Sequence, residues 1–579
     1  MANKKNVKKK NRRPFTKFLN FIMVMASALL LIQVYNLNLL PMKYFALVVA
    51  LVVILVLIVM LVSNFKGKTV FTRLLVIFLA LCMSVGLCVG NYYVYKTSSV
   101  FYDVTNISSR KATTTSVIVM DSSSYTDIKD LKSKKVGLLS ERDKGTKRVL
   151  KKLDKYNIQT VDYDSIYDLI NALADSSMDA IIMGESYRGI IHDAGTEYEN
   201  AWYYQFNTLT RYIYQDIYYT KRDASENPSD AVSDITQDTF TILVSGTDSY
   251  GGLEENARSD ANLLLTVNPK THRILMTSIP RDYYVDMVCN DNACQEGAKD
   301  KLTHTGLHGV KSVEKTIENT LGITINYNIR INFSSVTNLV DAMGGIDLDI
   351  TEEDACESFY TNTTLGLSVG HHENVNGETA LAFARERHAY VSGDNQRVKN
   401  QQKVFKAMLK KALSASMIMN YSKLMDAISV AFETNLSDDE ISSFVRYELN
   451  EQPKWKMESY AISGESSTEF SYESQAYASV VMQDESQNEI ARKKIQAIID
   501  GKKAKSVKSD EVTYTTEHND PSTYMPGYES SDDSSSYDYS QDYSTDYDNQ
   551  YTYDDSSQYD YSYDNSGYDE DYYYDENGY

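Results

Sequence analysis

Three long apolar runs open the chain, at about Phe18 to Leu40, Tyr44 to Val62 and Leu74 to Tyr95. A helix that crosses a bilayer needs roughly 20 mainly apolar residues, and the core of a cleaved signal peptide is shorter. The pattern therefore predicts three retained membrane helices within residues 1–97. The alternative is two crossings with the first run lying in the interface, because that run carries Gln33, Asn36 and Asn38.

Basic residues set the expected orientation of these helices. A dense cluster lies at Lys4 to Arg13, and the second connection carries Lys66, Lys68 and Arg73, whereas the first connection offers only Lys43. Since cytoplasmic flanks are enriched in lysine and arginine, the N-terminus should be cytoplasmic. Three crossings then place everything after about residue 97 outside the cell, and two crossings would place it inside.

Short apolar strands alternate with helical patterns across residues 98–230. This rhythm predicts a small α/β accessory domain with a mainly parallel sheet, followed by a polar linker at Thr220 to Asp238. One such lobe cannot close over a ligand, which favours a structural or partner-binding role over that of a small-molecule receptor. The candidate strands are Val117–Met120, Val136–Leu139, Thr160–Tyr163 and Ala180–Met183, and the candidate helices are Lys147–Tyr156 and Ser165–Ala174.

A second α/β pattern occupies residues 231–505. It opens with a strand at Phe240 to Val244, and two further strands, Asn262 to Val267 and Arg273 to Ile279, flank an Asn-Pro turn. The last two should form an antiparallel hairpin. The fold predicted is a mixed central sheet flanked by helices, with all its strands in one sheet and a core large enough to hold a long apolar ligand. Further elements are expected at Gly309–Leu321, Thr324–Phe333, Ser334–Met343, Ile346–Ile350 and about 395–414.

Charged residues lie at one end of each of these three opening strands. Antiparallel pairing brings Arg258 and Asp260 close to Arg281 and Asp282, and Asp248 follows the first strand. Each residue alone is compatible with an ordinary solvated loop. Together they predict one rim with carboxylates among arginines, which suits a metal ion and a phosphate.

A second charged block lies more than a hundred residues further along the chain. Asp394 can cap a helix on which Arg397 and Gln401 share its face, while Arg385 and Arg387 precede the intervening loop. The alternative is a solvated patch at the surface.

The two blocks together resemble the LytR-CpsA-Psr family of bacterial envelope enzymes. The residues that carry this resemblance are Gly-Thr-Asp-Ser, Arg-Ser-Asp, Ile-Pro-Arg-Asp, the run LVDAMGGIDLDI at Leu339 to Ile350, and ARERHAYVSGDNQRVKNQQ at Ala384 to Gln402. It covers about residues 238–415 and extends toward 500. Two departures are Tyr250, where the family usually has arginine, and the segment Lys301 to Val310, which lacks a small-residue run and leaves the lipid or acceptor site less certain.

The resemblance implies a membrane-anchored phosphotransferase that depends on magnesium or manganese. It would move a glycopolymer, such as teichoic acid or capsular polysaccharide, from a polyprenyl-pyrophosphate carrier to peptidoglycan outside the cell. A pyrophosphatase side activity stays open. It further implies that Asp248 and Asp260 ligate the metal, that Arg258, Arg281, Arg385, Arg387, Arg397 and Gln401 bind the lipid pyrophosphate, and that Asp282, Asp394 and Gln401 orient these groups or the attacking hydroxyl.

These residue types suit that chemistry. Pyrophosphate spreads its charge over many oxygens, so catalysis consists mostly of positioning and neutralisation. Arginine supplies a planar fork of donors and carboxylates hold a hard cation. The alternative is a non-catalytic regulator or receptor that binds lipid pyrophosphate or another envelope ligand without turning it over.

The C-terminal segment differs from the rest of the chain in composition. Residues 506–579 are repetitive tyrosine, aspartate and serine, with 20 acidic and no basic residues after Lys508, so nearly all of the net charge of −21 belongs to this tail. It should be disordered. The near-neutral body and the external location argue against nucleic-acid binding. The sequence indicates no particular oligomeric state.

The remaining candidate chemistry is sparse. Cys289 and Cys294 flank a small loop and can close as a local disulfide outside the cell. His304 and His308 stand four residues apart but lack a third metal ligand, so they are interpreted as structural or solvated.

Overall fold

The computed structural model describes most of the chain as far as Val507. The described residues are 14–64, 70–105, 110–197, 200–221, 226–247, 253, 255–289, 294–352, 354, 367–386, 390, 394–412, 414, 423–428 and 432–507.

Three N-terminal helices are long and apolar enough to cross a membrane. They are α1 (Pro14–Leu37), α2 (Met42–Asn64) and α3 (Val70–Thr105). The first packs along the third, where Asn91 Nδ2 donates to the carbonyl of Ala26 at 2.9 Å. All three helices contribute to one apolar core, so the first belongs to the bundle.

The accessory domain contains a five-stranded sheet in the order β3-β2-β4-β1-β5. Its strands are β1 (Arg110–Met120), β2 (Lys135–Leu139), β3 (Gln159–Tyr163), β4 (Ala180–Gly184) and β5 (Thr210–Lys221). Its helices are α4 (Lys144–Leu153), α5 (Ile166–Ala174), α6 (Arg188–Glu197) and α7 (Ala201–Leu209).

The prediction that this sheet is mainly parallel was wrong. The strand β2 is parallel to β3 and β4, but β1 is antiparallel to both β4 and β5. The physical reason is β5, which starts directly after α7 and returns along the whole of β1, from Thr210 opposite Met120 to Lys221 opposite Arg110. The sheet is therefore mixed.

The second α/β unit is built on a six-stranded sheet in the order β14-β11-β6-β7-β8-β15. The strands of this unit are β6 (Phe240–Thr247), β7 (Ser259–Asn268), β8 (Arg273–Ile279), β9 (Tyr284–Asp286), β10 (Lys299–Lys301), β11 (Tyr327–Asn332), β12 (Ile346–Ile350), β13 (Gly370–Val375), β14 (Phe432–Thr434), β15 (Lys456–Ala461), β16 (Ser466–Ser471) and β17 (Ala476–Val481). Its helices are α8 (Val310–Leu321), α9 (Phe333–Ala342), α10 (Gly377–Arg385), α11 (Asp394–Ala412), α12 (Asp438–Glu451) and α13 (Glu485–Ile499).

The predicted hairpin is confirmed. The strands β7 and β8 pair antiparallel, with Asn262 opposite Ile279, and β6 pairs antiparallel with β7 on its other side. Consecutive side chains of β7 enter different cores, because Leu264 packs with α8 and α13 whereas Leu263 packs with α11 and α12. Helices thus cover both faces of a mixed sheet, as the fold class requires.

One strand lies outside the sheet predicted to contain it. The strand β12 pairs with β13 in a separate two-stranded sheet. Its apolar residues are buried while the intervening Asp347 and Asp349 are exposed. That alternation is typical of a strand covered on one face, whereas an interior strand of a helix-covered sheet is buried on both.

Two local predictions agree with the structure. Cys289 and Cys294 form a disulfide. The apolar face of α8 is buried, and the helix ends at Gly322, whose φ of +61° is the left-handed conformation that glycine adopts readily.

The second α/β unit contacts the helical bundle at the ends of the membrane helices. Lys96 Nζ pairs with Asp426 at 2.6 Å, and Arg446 Nη1 donates to the carbonyl of Asn38 at 2.8 Å. The start of the α1–α2 connection and the end of α3 therefore lie against this unit.

Candidate functional site

The hairpin of β7 and β8 brings four charged residues together at one rim of the sheet. Arg258 and Asp260 lie where β7 starts, and Arg281 and Asp282 follow the end of β8. Asp260 lies between the two arginines, with Oδ2 at 3.3 Å from Arg258 Nη2 and Oδ1 at 3.3 Å from Arg281 Nη1. Both guanidinium groups are buried, which is costly unless each has an anionic partner.

A fifth member of this cluster comes from the accessory domain and was not anticipated. Asp193 lies on α6, and its Oδ2 is 2.5 Å from Arg258 Nη1 and 2.9 Å from Arg281 Nη2. One carboxylate oxygen is thus shared by two guanidinium groups. The only signal in the sequence is an acidic residue close to Ile191 and Ala194 of α6, which are both buried.

Asp282 lies close to two cations, Arg281 and Lys301. Arg281 Nε is 3.4 Å from one of its oxygens, and the Nζ of the buried Lys301 is 3.7 Å from the other. Burial raises the pKa of Asp282, but Arg281, Lys301 and Arg397 outweigh that effect and hold it at about 2. The contribution of Arg397 places the start of α11 next to the hairpin, although more than a hundred residues separate them. We define the charged cluster as Asp193, Arg258, Asp260, Arg281, Asp282, Lys301 and Arg397.

The other two carboxylates of the charged cluster are also held ionised. Burial raises the pKa of both Asp193 and Asp260, but the neighbouring Arg258 and Arg281 lower each pKa below its ordinary value. All three carboxylates are therefore anions at neutral pH. Four cations and three anions in largely buried positions give the charged cluster a net charge of +1.

A 3₁₀ helix at Leu302–His308 packs against the charged cluster and fixes two of its members. Thr303 donates its hydroxyl to Asp260 Oδ1 at 2.8 Å and its N–H to the carbonyl of Arg281 at 2.8 Å. The turn is anchored by His304, whose Nδ1 lies 2.7 Å from the buried carboxylate of Asp300. His304 is thus structural, in agreement with the interpretation from sequence.

Of the other site residues predicted from the sequence, one is exposed in the structure and three lie wholly or partly outside the described part of the chain. Arg385 is exposed and stacks at 4.9 Å over the ring of Phe333, away from the described contacts of the charged cluster. Asp248 and Arg387 lie outside the described residues, and so does the side chain of Asp394.

An apolar groove runs between the sheet and three helices. The space along it, which includes open solvent, amounts to about 660 Å³, and α9, α10 and α11 form its outer wall. Gln401, one helical turn after Arg397, contributes to its lining together with Arg385, so polar groups occur within an otherwise apolar surface. The apolar lining residues are Val244, Gly246, Ala261, Leu263, Ile331, Phe333, Val336, Leu381, Ala384, Val404, Phe405 and Met408.

The donor set at the rim fits a hard divalent cation. The carboxylate of Asp260 and the hydroxyl of Thr303 supply oxygen ligands, which magnesium and manganese prefer. Elsewhere among the described residues, Asp230, Glu314 and Glu318 bring three carboxylates together. Glu314 already pairs with Lys311, so that group is accounted for by an internal ion pair.

Comparisons with known proteins find relatives for part of this chain. The LytR_cpsA_psr family model matches residues 203–496. A TagU protein from Bacillus mycoides, named a polyisoprenyl-teichoic acid–peptidoglycan teichoic acid transferase, is 33% identical over 227 residues, which cover 38% of this chain and 68% of the relative. A TagU protein of the same name from Bacillus anthracis is 30% identical over 264 residues, covering 44% of this chain and 78% of the relative.

A solved structure is also similar. The crystal structure of protein gbs0355 from Streptococcus agalactiae shares 28% identity, covers 46% of this chain and 89% of its own, and gives a TM-score of 0.39. The family match spans more than half of the chain and contains every rim residue from β7 to α11. The chain belongs to the LytR-CpsA-Psr family.

Proposed function

We propose that this protein attaches a glycopolymer, carried on polyprenyl pyrophosphate, to peptidoglycan through a phosphodiester bond. The observation that carries the proposal is the adjacency of the apolar groove and the charged cluster. In α11 the two features are one helical turn apart, at Gln401 and Arg397, and in β7 they are neighbours in sequence, at Ala261 and Asp260. A polyprenyl pyrophosphate has the same two parts, a long apolar chain and a compact anion.

The charged cluster supplies what transfer from a pyrophosphate requires. Arg258 and Arg281 present donors that match phosphate oxygens, and they would neutralise charge that develops on the leaving pyrophosphate. Magnesium or manganese, which we propose is held by Asp260 together with Asp248, would neutralise part of the charge of the pyrophosphate when bound. Asp282 orients Arg281 and Lys301 through its two oxygens.

The roles of the second block follow from its position. Arg397 adds positive charge beside Asp282, and Gln401 and Arg385 line the groove, so we assign these three to the lipid-linked end of the substrate. Arg387 and Asp394 stay candidates for pyrophosphate binding and for orienting the acceptor hydroxyl.

The membrane helices support an extracytoplasmic assignment. The first helix packs within the bundle, as expected if it spans the membrane, and three spans with a cytoplasmic N-terminus place the second α/β unit outside. The contacts of Asn38 and Lys96 with this unit lie at the same ends of the helices. A lipid-linked donor in the outer leaflet would then enter the groove directly, and the peptidoglycan acceptor lies on the same side.

Blocking the groove tests the proposal. Ala384 lines the groove and is almost fully buried, so Ala384→Phe should fill space that the lipid chain needs. We expect binding of polyprenyl pyrophosphate to the full chain in detergent micelles to fall by at least about tenfold, which corresponds to about 1.4 kcal/mol. Ala382→Phe, on the same helix but away from the lining, is the matched control and should bind normally. Equal binding by the two variants would contradict the assignment of the groove.

A further inference from the structure

We propose that Asp193 of the accessory domain is a built-in competitor for the substrate's pyrophosphate, holding Arg258 and Arg281 until the substrate displaces it. The proposal rests on the proposed function, since it concerns the regulation of the same site. It assigns the accessory domain the role of a reversible anionic gate.

The contact geometry identifies Asp193 as an anion in a phosphate position. Its Oδ2 accepts from both arginines at 2.5 and 2.9 Å, whereas Asp260 is 3.3 Å from each. The shortest of these charge-assisted contacts therefore go to the carboxylate that arrives from another domain. A single oxygen between two guanidinium groups is the arrangement that a phosphate oxygen would adopt.

Arg281 cannot take a bidentate grip on a phosphate while all its present contacts persist. Its Nη2 faces Asp193, its Nη1 faces Asp260 and its Nε faces Asp282. A phosphate oxygen placed on Nη2 would lie beside the Asp193 carboxylate, and like charges that share the same donors repel each other. Substrate binding and the Asp193 contact are therefore mutually exclusive at this position.

Of the three carboxylates, Asp193 is the one that can leave. Asp260 is part of β7 and is fixed by Thr303, and Asp282 is adjacent to Arg281 in the chain. Asp193 lies on α6, in the accessory domain, and its side chain is 19% exposed, compared with 6% for that of Asp260. Its release requires α6 to move away from the hairpin, against the apolar packing of Leu307 and Ala476 on the accessory domain.

The helix α6 is shaped for close approach to the site. A Cβ added at Gly189 would lie 2.7 Å from Arg258 Nε, so this glycine allows the helix backbone to lie against the guanidinium group. The two units also meet through the hydrogen bond from Ser165 Oγ to the carbonyl of Ser474 at 3.2 Å and through Leu307 and Ala476, which pack against the apolar core of the accessory domain. The docked position is thus specific, and undocking would break apolar as well as polar contacts.

The test measures binding of inorganic pyrophosphate with magnesium to the full chain in detergent by calorimetry. Asp193→Asn removes the competing charge and should tighten binding by about tenfold or more. Asp193→Glu keeps the charge and should bind like the unsubstituted protein, and so should Asp154→Asn, which removes an exposed carboxylate from the same domain. Asp193→Asn should also melt at lower temperature without pyrophosphate and gain more from its addition, because the two buried arginines lose a partner.

An engineered disulfide that tethers the accessory domain to the second α/β unit is a second test, and it does not depend on the stability of Asp193→Asn. Oxidised Ser165→Cys/Ser474→Cys should lock the accessory domain in place and weaken pyrophosphate binding, and reduction should restore it; each single cysteine variant controls for the reductant. Arg281→Ala tests the site itself and should abolish binding. If Arg281→Ala abolishes binding while Asp193→Asn binds no more tightly, or the tether has no effect, the gate is refuted. If Arg281→Ala binds normally, the pyrophosphate site of the proposed function is refuted instead.

Discussion

Asp282 shows how strongly one side chain in this site depends on partners from distant parts of the chain. Arg281 is its neighbour in sequence, Lys301 is the last residue of β10 and Arg397 belongs to α11. Their combined charge more than offsets the cost of burying the carboxylate. The same cations are those that would bind a pyrophosphate, so the charge that stabilises the fold also prepares the site.

This environment predicts a pH-dependent contribution to stability. Because the folded pKa of Asp282 is lowered from 3.8 to about 2, its contribution is present above the unfolded pKa and is lost as the pH falls through about 2. Asp282→Asn should therefore lower the free energy of unfolding by about 2 kcal/mol at neutral pH. The difference from the unsubstituted protein should shrink as the pH falls from about 4 toward 2, as measured by denaturant titration of the full chain.

A surface ion pair gives the matched control. Asp286 pairs with Lys299 at 2.9 Å, and both side chains are about half exposed. Asp286→Asn should change the free energy of unfolding by less than about 1 kcal/mol at any pH, because exposed pairs contribute little. A constant effect of Asp282→Asn across the acidic range would contradict the assigned pKa.

The sequence predicted part of the charged cluster and missed part of it, for a physical reason. Arg258, Asp260, Arg281 and Asp282 follow from one local hairpin, whose register is fixed by a short turn. Asp193, Lys301 and Thr303 were missed because they reach the rim from a separate domain and from a 3₁₀ turn that no hydrophobic period marks. The family resemblance, and not local periodicity, pointed to Arg397.

At the scale of elements, the width of the apolar groove depends on how closely α9 and α10 approach. A Cβ added at Gly377 would lie 2.2 Å from the carbonyl oxygen of Thr337, so the start of α10 packs directly on the backbone of α9. Only glycine permits this distance. The groove wall is thus set by a backbone contact as well as by side chains.

Gly377→Ala should force the two helices apart. We expect a loss of about 1–3 kcal/mol in the free energy of unfolding, which is usual for overpacking, together with weaker binding of polyprenyl pyrophosphate. Glu378→Ala, at the next and exposed position, is the control and should leave both quantities nearly unchanged. Binding and stability can be measured on the same preparation. Normal stability of Gly377→Ala would show that the wall is more compliant than this contact indicates.

Element type was easier to predict than strand pairing. The strand β12 was predicted at Ile346 to Ile350 and forms there, yet it pairs with β13 outside the main sheet. The strand β5 was missed because its tyrosines alternate with polar residues and part of it was assigned to a linker. The spacing of apolar residues along a strand indicates which of its faces is buried. Which strands pair depends on segments that are distant in sequence.

At the scale of the whole molecule, the account requires the two α/β units to lie outside the membrane with a cytoplasmic N-terminus. In a background with Cys82→Ser, Cys88→Ser and Cys356→Ser, a membrane-impermeant maleimide applied to intact cells should label Asp154→Cys and leave Asn6→Cys unlabelled. The exposed Asp154 belongs to the accessory domain. Permeabilised cells, in which both sites should react, provide the control. Labelling of neither site in intact cells would establish two crossings with both ends in the cytoplasm, and labelling of Asn6→Cys alone would establish the opposite orientation. Either result would place the site in the cytoplasm and contradict the account.

Transfer itself tests the central claim most directly. The full chain in detergent would be incubated with magnesium, a polyprenyl-pyrophosphate-linked oligosaccharide and peptidoglycan fragments, and the phosphodiester-linked product would be measured by mass spectrometry. We predict product with the unsubstituted protein, and a loss of at least about a hundredfold in Arg281→Ala and Asp260→Ala, since each removes a group that stabilises the transferring phosphate. Arg281→Lys should not restore the rate, because lysine lacks the planar fork. Tight binding of the lipid-linked substrate without product, under every acceptor and metal tried, would contradict the account and identify the protein as a binding protein for that lipid.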